Sequence, residues 1–151
     1  MHHEYETIVI ARSDMDDGAV GAVIEKLEGI VTGNGGHILD RDDWGKRKLA
    51  YAIENQLKGH YVRMHLAAAP EVIAELERRI RLEDSLVRFM TVQLATAINV
   101  DERAEATAVV RAAREEEARK KAEAEAAAAA AAAQYEAEQR AASETAPAPA
   151  E

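Results

Sequence analysis

Asp42-Asp43-Trp44-Gly45-Lys46-Arg47-Lys48-Leu49-Ala50-Tyr51-Ala52-Ile53 holds the only tryptophan of the chain and sets a basic run just after an acidic one. Gly45 follows Trp44 directly. Within a strand-like pattern a glycine marks a bulge or a bend, because it accepts positive φ and has no side chain to pack. The stretch therefore predicts a strand that arrives from His37, bends at Trp44-Gly45 and continues through Leu49, Tyr51 and Ile53. The bend is expected to aim Lys46, Arg47 and Lys48 away from the sheet as one positive cluster. The plain alternative is a solvated hairpin with ordinary surface lysines, since a short basic run is a weak signal by itself.

Upstream, residues 5–11 are β-branched and apolar and predict a strand. Val9 occupies one parity, Ile8 and Ile10 the other, and a strand apolar on both faces is usually central and covered on both sides. Ser13 to Asp17 supplies capping side chains and then acids for a first helical turn. Val20, Val23, Ile24, Leu27, Ile30 and Val31 follow at spacings of three and four, one apolar stripe. Gly33-Asn34-Gly35-Gly36 ends that helix. A phosphate cradle would need such glycines at a helix N-terminus, not after a C-terminus.

Downstream, residues 54–59 turn the chain. His60 to Ala67 reads as a strand with Val62, Met64 and Leu66 on one face and Tyr61, Arg63 and His65 on the other. Pro70 suits a first helical position, where its missing N–H costs nothing, and Val72, Ile73, Leu76 and Ile80 form a second stripe. Leu86 to Leu94 is a fourth strand, with Leu86, Met90, Val92 and Leu94 on one parity and Arg88 interrupting it.

The order strand, helix, strand, strand, helix, strand gives an α+β chain of ferredoxin-like βαββαβ type. A four-stranded antiparallel sheet carries both helices on one face. The other face is open. Ile8, Ile10, Tyr61 and Arg63 fall on its parities and are candidate partner-binding residues, because an exposed apolar patch of a few hundred Å² usually means contact.

From Asp101 alanine, glutamate and arginine dominate, with eight consecutive alanines at Ala126–Ala133. These are strong helix formers, but no stripe of large apolar residues is present to pack such a helix. The chain is thus expected to comprise a domain at 1–97 and an extension at 98–151, partly helical, partly disordered, adding little to stability.

The 151 residues carry a net charge of −9, which argues against indiscriminate coating of nucleic acid. Yet bases cluster at Lys46–Lys48 and Arg78–Arg81, so a local anion-binding face is compatible with an acidic total. With no cysteine there is no disulfide framework. No signal peptide or membrane-length apolar run is apparent, and a soluble cytoplasmic protein is expected. His60 and His65 have opposite parity and cannot share a metal ion on one strand. Asp40, Asp42 and Asp43 read as a solvated acidic turn, not a calcium loop. No paired carboxylates or triad stand out, so neither catalysis, cofactor nor small-molecule substrate is expected. An RNA-recognition motif shares this element order, but it stacks bases on aromatics of its first and third strands, and the first strand has none between Glu6 and Ala11. Phosphate contact from turns and edges is what remains.

Asp43–Ile53 (D-W-G-K-R-K-L-A-Y-A-I), Gly59–Met64 (G-H-Y-V-R-M), Pro70–Leu76 (P-E-V-I-A-E-L), Val87–Met90 (V-R-F-M) and an opening Tyr5-Glu6 together resemble the bacterial small-subunit ribosomal protein S-six family over about residues 3–95. The resemblance implies a ferredoxin-like fold at the ribosome, binding to the central domain of small-subunit rRNA, and a heterodimer with ribosomal protein S-eighteen. It carries an RNA-binding role onto Arg47, Lys48 and Arg88, beside Lys46 of the same cluster. Ala52 stands where the family usually has proline, and His2-His3-Glu4 where an arginine often follows the initiator methionine. An ACT-like module that binds a small metabolite between paired sheets is the alternative reading of the same element order.

Overall fold

The computed structural model describes residues 1–144. Its elements are β1 (His2–Arg12), α1 (Asp17–Gly33), β2 (His37–Ile53), β3 (Gln56–Ala68), α2 (Pro70–Arg81), β4 (Leu86–Ile98) and α3 (Val100–Glu144). The strands form one antiparallel sheet in the order β2-β3-β1-β4, a ferredoxin-like arrangement with β1 central. Residues Met1–Val109 make one compact unit and the chain from Val110 a second. The end of the alanine-rich tail, with Pro147 and Pro149, lies outside the described residues.

The core lies between the sheet and the two shorter helices. Val9 and Ala11 of β1 and Val62, Met64 and Leu66 of β3 meet Val20, Ile24, Leu27 and Val31 of α1 and Leu76 and Ile80 of α2. Each fully buried aliphatic side chain contributes roughly 1.5–3 kcal/mol, which is how a chain with so few aromatics holds together.

The helix ends follow the local chemistry. Asp16 caps α1, its Oδ1 accepting from the Ala19 amide at 2.6 Å. At the other end Gly35 has φ 79°. The Gly36 amide donates to the Val31 carbonyl at 2.9 Å and the Gly35 amide to Thr32 at 3.1 Å, a Schellman closure. Gly36 is also a close approach: a Cβ there would lie 2.6 Å from Val31 Cγ1 and 3.2 Å from Ala68 Cβ. Gly36→Ala is therefore expected to cost about 1–3 kcal/mol in urea unfolding, the usual penalty of overpacking. An unchanged midpoint would mean the contact yields freely.

The strands run longer than their apolar patterns. β1 begins at His2, whose Nε2 lies 2.9 Å from the Gly35 carbonyl. The β2–β3 connection shrinks to Glu54-Asn55, both at positive φ (49° and 62°), as a tight hairpin turn demands. The bend at Trp44-Gly45 is a bulge, with Gly45 at φ 70° and a register shift between Asp43 and Gly45.

In β4 the apolar parity does not mark one face. A register shift between Ile10 and Ala11 lets both Leu86 and Phe89 pack against the core, while Met90 and Val92 point away from the helices. Arg88 shares their side and does not interrupt it.

α3 is helical from Val100 to Glu144. Beyond Val110 its described side chains are almost all exposed, with i,i+4 pairs such as Glu116–Lys120 at 2.7 Å. Its first turns differ. Arg103 Nε donates at 2.7 Å to Oε2 of Glu4, a carboxylate only 1 % exposed. The sequence predicts an extension with no apolar stripe to pack it, and the bond of Arg103 to Glu4 is not foreseen, because the contact is ionic and leaves no mark in apolar periodicity.

Candidate RNA and protein interface

Pairing register sets the open face out in rows across the sheet. One row reads Gly45 with Trp44, then Tyr61, Ile10 and Arg88, and the next reads Asp42, Arg63, Ile8 and Met90. A third holds Asp40, His65, Glu6 and Val92. The face thus has an apolar end and an acidic end.

At the apolar end Ile8, Ile10, Tyr61 and Met90 line a pocket of about 270 Å³ with Trp44, Arg88 and Phe89. Trp44 stacks on Tyr61, ring centroids 6.4 Å apart and planes at 20°. The Arg47 guanidinium lies 5.1 Å over the Trp44 ring, a cation–π contact. Asp42 Oδ2 receives the indole N–H at 3.0 Å. Gly59 leaves room for Ile10 and Leu49 over its bare backbone.

Three of the four expected partner residues, Ile8, Ile10 and Tyr61, therefore come together. Arg63 lies at the centre of the carboxylates. It donates to Glu6 Oε2 at 3.1 Å and to Asp40 Oδ2 at 3.0 Å, with Asp42 at 4.0 Å. Beside it His65 Nε2 stands 2.7 Å from Glu4 Oε1. Four acids surround Arg63, Arg103 and His65, so this end keeps a surplus of negative charge.

Trp44 and Met90 also line the pocket, although the sequence by itself does not place them among the partner-binding residues. The parity that Met90 shares with Arg88 is the signal that points there.

Lys46, Arg47 and Lys48 do not form one cluster. The strand resumes after the Gly45 bulge, so successive side chains point to opposite sides. Arg47 pairs with Gly59 and shares the side of Trp44. Lys46 pairs with His60 and Lys48 with Lys58, on the other side. The result is a stripe of Lys46, Lys48 and Lys58 along the hairpin, none with an ion pair to a described residue. Like charges directly opposite on paired strands repel. Lys58 escapes a reading of the sequence because a register, not a local run, brings it there.

The other basic run is engaged internally. Arg78 and Arg79 both hydrogen-bond Glu75, at 2.7 and 2.8 Å, and these bonds, Arg78's first, hold that carboxyl down at about 2. Arg81 pairs with Glu77 and lies 5.2 Å over Phe89.

Among the described residues no group of His, Asp or Glu is arranged to hold a metal ion, and no helix is long and apolar enough to cross a membrane. Asp42 and Asp43 are engaged instead by Trp44 and by Gly45 and His60.

Comparison with known proteins adds a family. A family model described as "Ribosomal protein S6" matches residues 4–93. The small ribosomal subunit protein bS6 of Syntrophotalea carbinolica is 40% identical over 113 residues, covering 75% of this chain and 97% of that protein. That of Desulfatibacillum aliphaticivorans is 37% identical over 108 residues, covering 72% of this chain. The match spans only 58% of the Desulfatibacillum protein and 62% of its counterpart in Syntrophobacter fumaroxidans. The crystal structure of 30S ribosomal protein S6 from Thermotoga maritima superposes with a TM-score of 0.60 at 22% identity, covering 62% of this chain and 89% of that one, a likeness of fold.

Proposed function

This chain belongs to the ribosomal protein S6 family, and on that premise we propose that it joins small-subunit rRNA to a second, basic ribosomal protein, S-eighteen. The family is structural and not enzymatic, and the expected place of work is the ribosome.

The observation that carries the protein half is the uncovered apolar end of the sheet face. An apolar pocket beside a net-acidic surface is complementary to a small basic partner with an apolar anchor. Ile8, Ile10 and Tyr61 supply the anchor's seat, with Trp44 and Met90. Acids around Arg63 steer the partner.

The RNA half rests on the unneutralised lysines of the hairpin. A polyanion relieves their mutual repulsion, and the contacts are to phosphate, which positions more than it reads sequence. Arg47 and Arg88 flank the apolar pocket, where they reach RNA at the rim of the protein contact.

Removing a cation from a phosphate lowers the magnitude of the slope of log K against log salt by about one. Arg47→Ala with Lys48→Ala is expected to lower it by ~1–2, and Lys58→Ala by about 1 more. Filter binding to central-domain rRNA, with S-eighteen present, measures the slopes. Unchanged slopes in well-folded variants would remove the hairpin from the RNA surface. A flat thermal-shift response to free amino acids separates this reading from an ACT-like module.

A further inference from the structure

We propose that His60 is a positioning residue: buried on the helix side of the sheet, it sets the conformation of Trp44 and Arg47 on the opposite side. His60 is 2 % exposed. Its Nε2 lies 2.6 Å from Asp43 Oδ1. An ionised carboxylate only accepts, so the ring donates from Nε2. The same Asp43 oxygen receives the Gly45 amide at 2.8 Å. One oxygen thus ties a core histidine to the glycine at which β2 bulges.

The bulge decides which way the next residues face. It places Trp44 against Tyr61, with Asp42 holding the indole N–H, and sets Arg47 over the indole ring. The other nitrogen of His60, Nδ1, is buried with no hydrogen-bond partner, 3.6 Å from an Asp17 oxygen. Among the described residues the bond to Asp43 is therefore the ring's one hydrogen bond, with the Asp17 carboxylate near its other nitrogen. A histidine that merely filled space would be an odd choice there, since an apolar residue would leave no polar atom unsatisfied. The arrangement makes sense if the Nε2–Asp43–Gly45 bond is what the position is for. Its bearing on partner recognition rests on the reading above, whereas its effect on Trp44 does not.

Trp44 is the only tryptophan, so the full chain reports on itself. The variants are His60→Leu, Asp43→Ala and Asp43→Asn, the last keeping an oxygen that accepts from both His60 and Gly45. The readouts are time-resolved fluorescence anisotropy of Trp44 and hydrogen exchange of its indole N–H by NMR, without any partner. The expected result is a fast local component in the anisotropy and exchange roughly tenfold faster, about the effect of removing one hydrogen bond, in His60→Leu and Asp43→Ala. Asp43→Asn should restore the wild-type values. Trp44 unchanged in Asp43→Ala overturns the proposal, as does a melting-temperature fall in His60→Leu with an unaltered indole. If His60→Leu does not fold, Asp43→Ala decides, because that side chain is half exposed and not part of the core. Titration with S-eighteen is a separate arm: the expected Trp44 effects with no change in affinity would count against the partner surface and leave the relay standing.

Discussion

Ile10→Asp and Tyr61→Asp are each expected to weaken binding of S-eighteen by at least about a hundredfold, ~2.7 kcal/mol, while the isolated chain stays folded. Both residues line the pocket at the apolar end of the open face, and truncations cost most where a partner fills such a pocket. A carboxylate there would be desolvated by the partner and has no cation in the partner's apolar anchor to meet it. In the free chain the same carboxylate faces water. At position 10 it also stands beside Arg88, its register neighbour on β4. The unfolding cost of Ile10→Asp should accordingly stay near 1 kcal/mol, about the middle of the usual range for single substitutions. Isothermal titration of purified partner against both variants is the measurement. Wild-type affinity in both would move the contact off this face and onto the edge strand β4. If RNA binding depends on the proposed pairing with S-eighteen, RNA affinity should fall in step.

The second large effect is on stability. Arg103→Ala is expected to lower the melting temperature by roughly 5–10 °C, about 1–2 kcal/mol for a domain of this size. Hydrogen bonds to charged groups are worth about 1.5–3 kcal/mol, and the half-exposed Arg103 argues for the lower part of that range. Without it, Glu4 keeps, among the described residues, only the side chain of His65 for a carboxylate otherwise sealed from water. Truncation after Val100 should reproduce the destabilisation, and truncation after Val109, at the end of the compact unit, should not. In a double-mutant cycle with Glu4→Gln the two changes should be strongly non-additive. Equal melting temperatures for all these chains would show that the ion pair contributes nothing.

Glu4 and Arg103 are 99 residues apart, and this separation illustrates what no reading of neighbours can supply. Periodicity is a local signal. It tells the two faces of β1 and β3 apart, because alternation survives whatever the strand later pairs with. It finds the stripes of α1 and α2 for the same reason. Gly45 announces its bulge because few other residues tolerate that backbone. The linear motifs from Asp43 to Met90 are enough to suggest the family.

The sorting of Lys46, Arg47 and Lys48 onto two sides depends on whether the chain stays a strand after the bulge. That is decided by hydrogen bonding to β3, which residues 46–48 do not encode by themselves. Lys58 joins the stripe only through that pairing. In β4 the shift beside Ile10 and Ala11 gives Leu86 and Phe89 to the core and leaves Met90 to the open face, against simple parity.

Sequence alone thus determined the order of elements, the helix-packed set of the inner strands and the place of the bend. Tertiary structure alone decided Arg63's carboxylate partners, the tie from His60 through Asp43 to Gly45, and the bond from Arg103 to Glu4. The reason is physical. Burial patterns repeat along the chain with the period of the backbone, whereas ion pairs and cross-strand registers join residues whose separation in sequence carries no period at all.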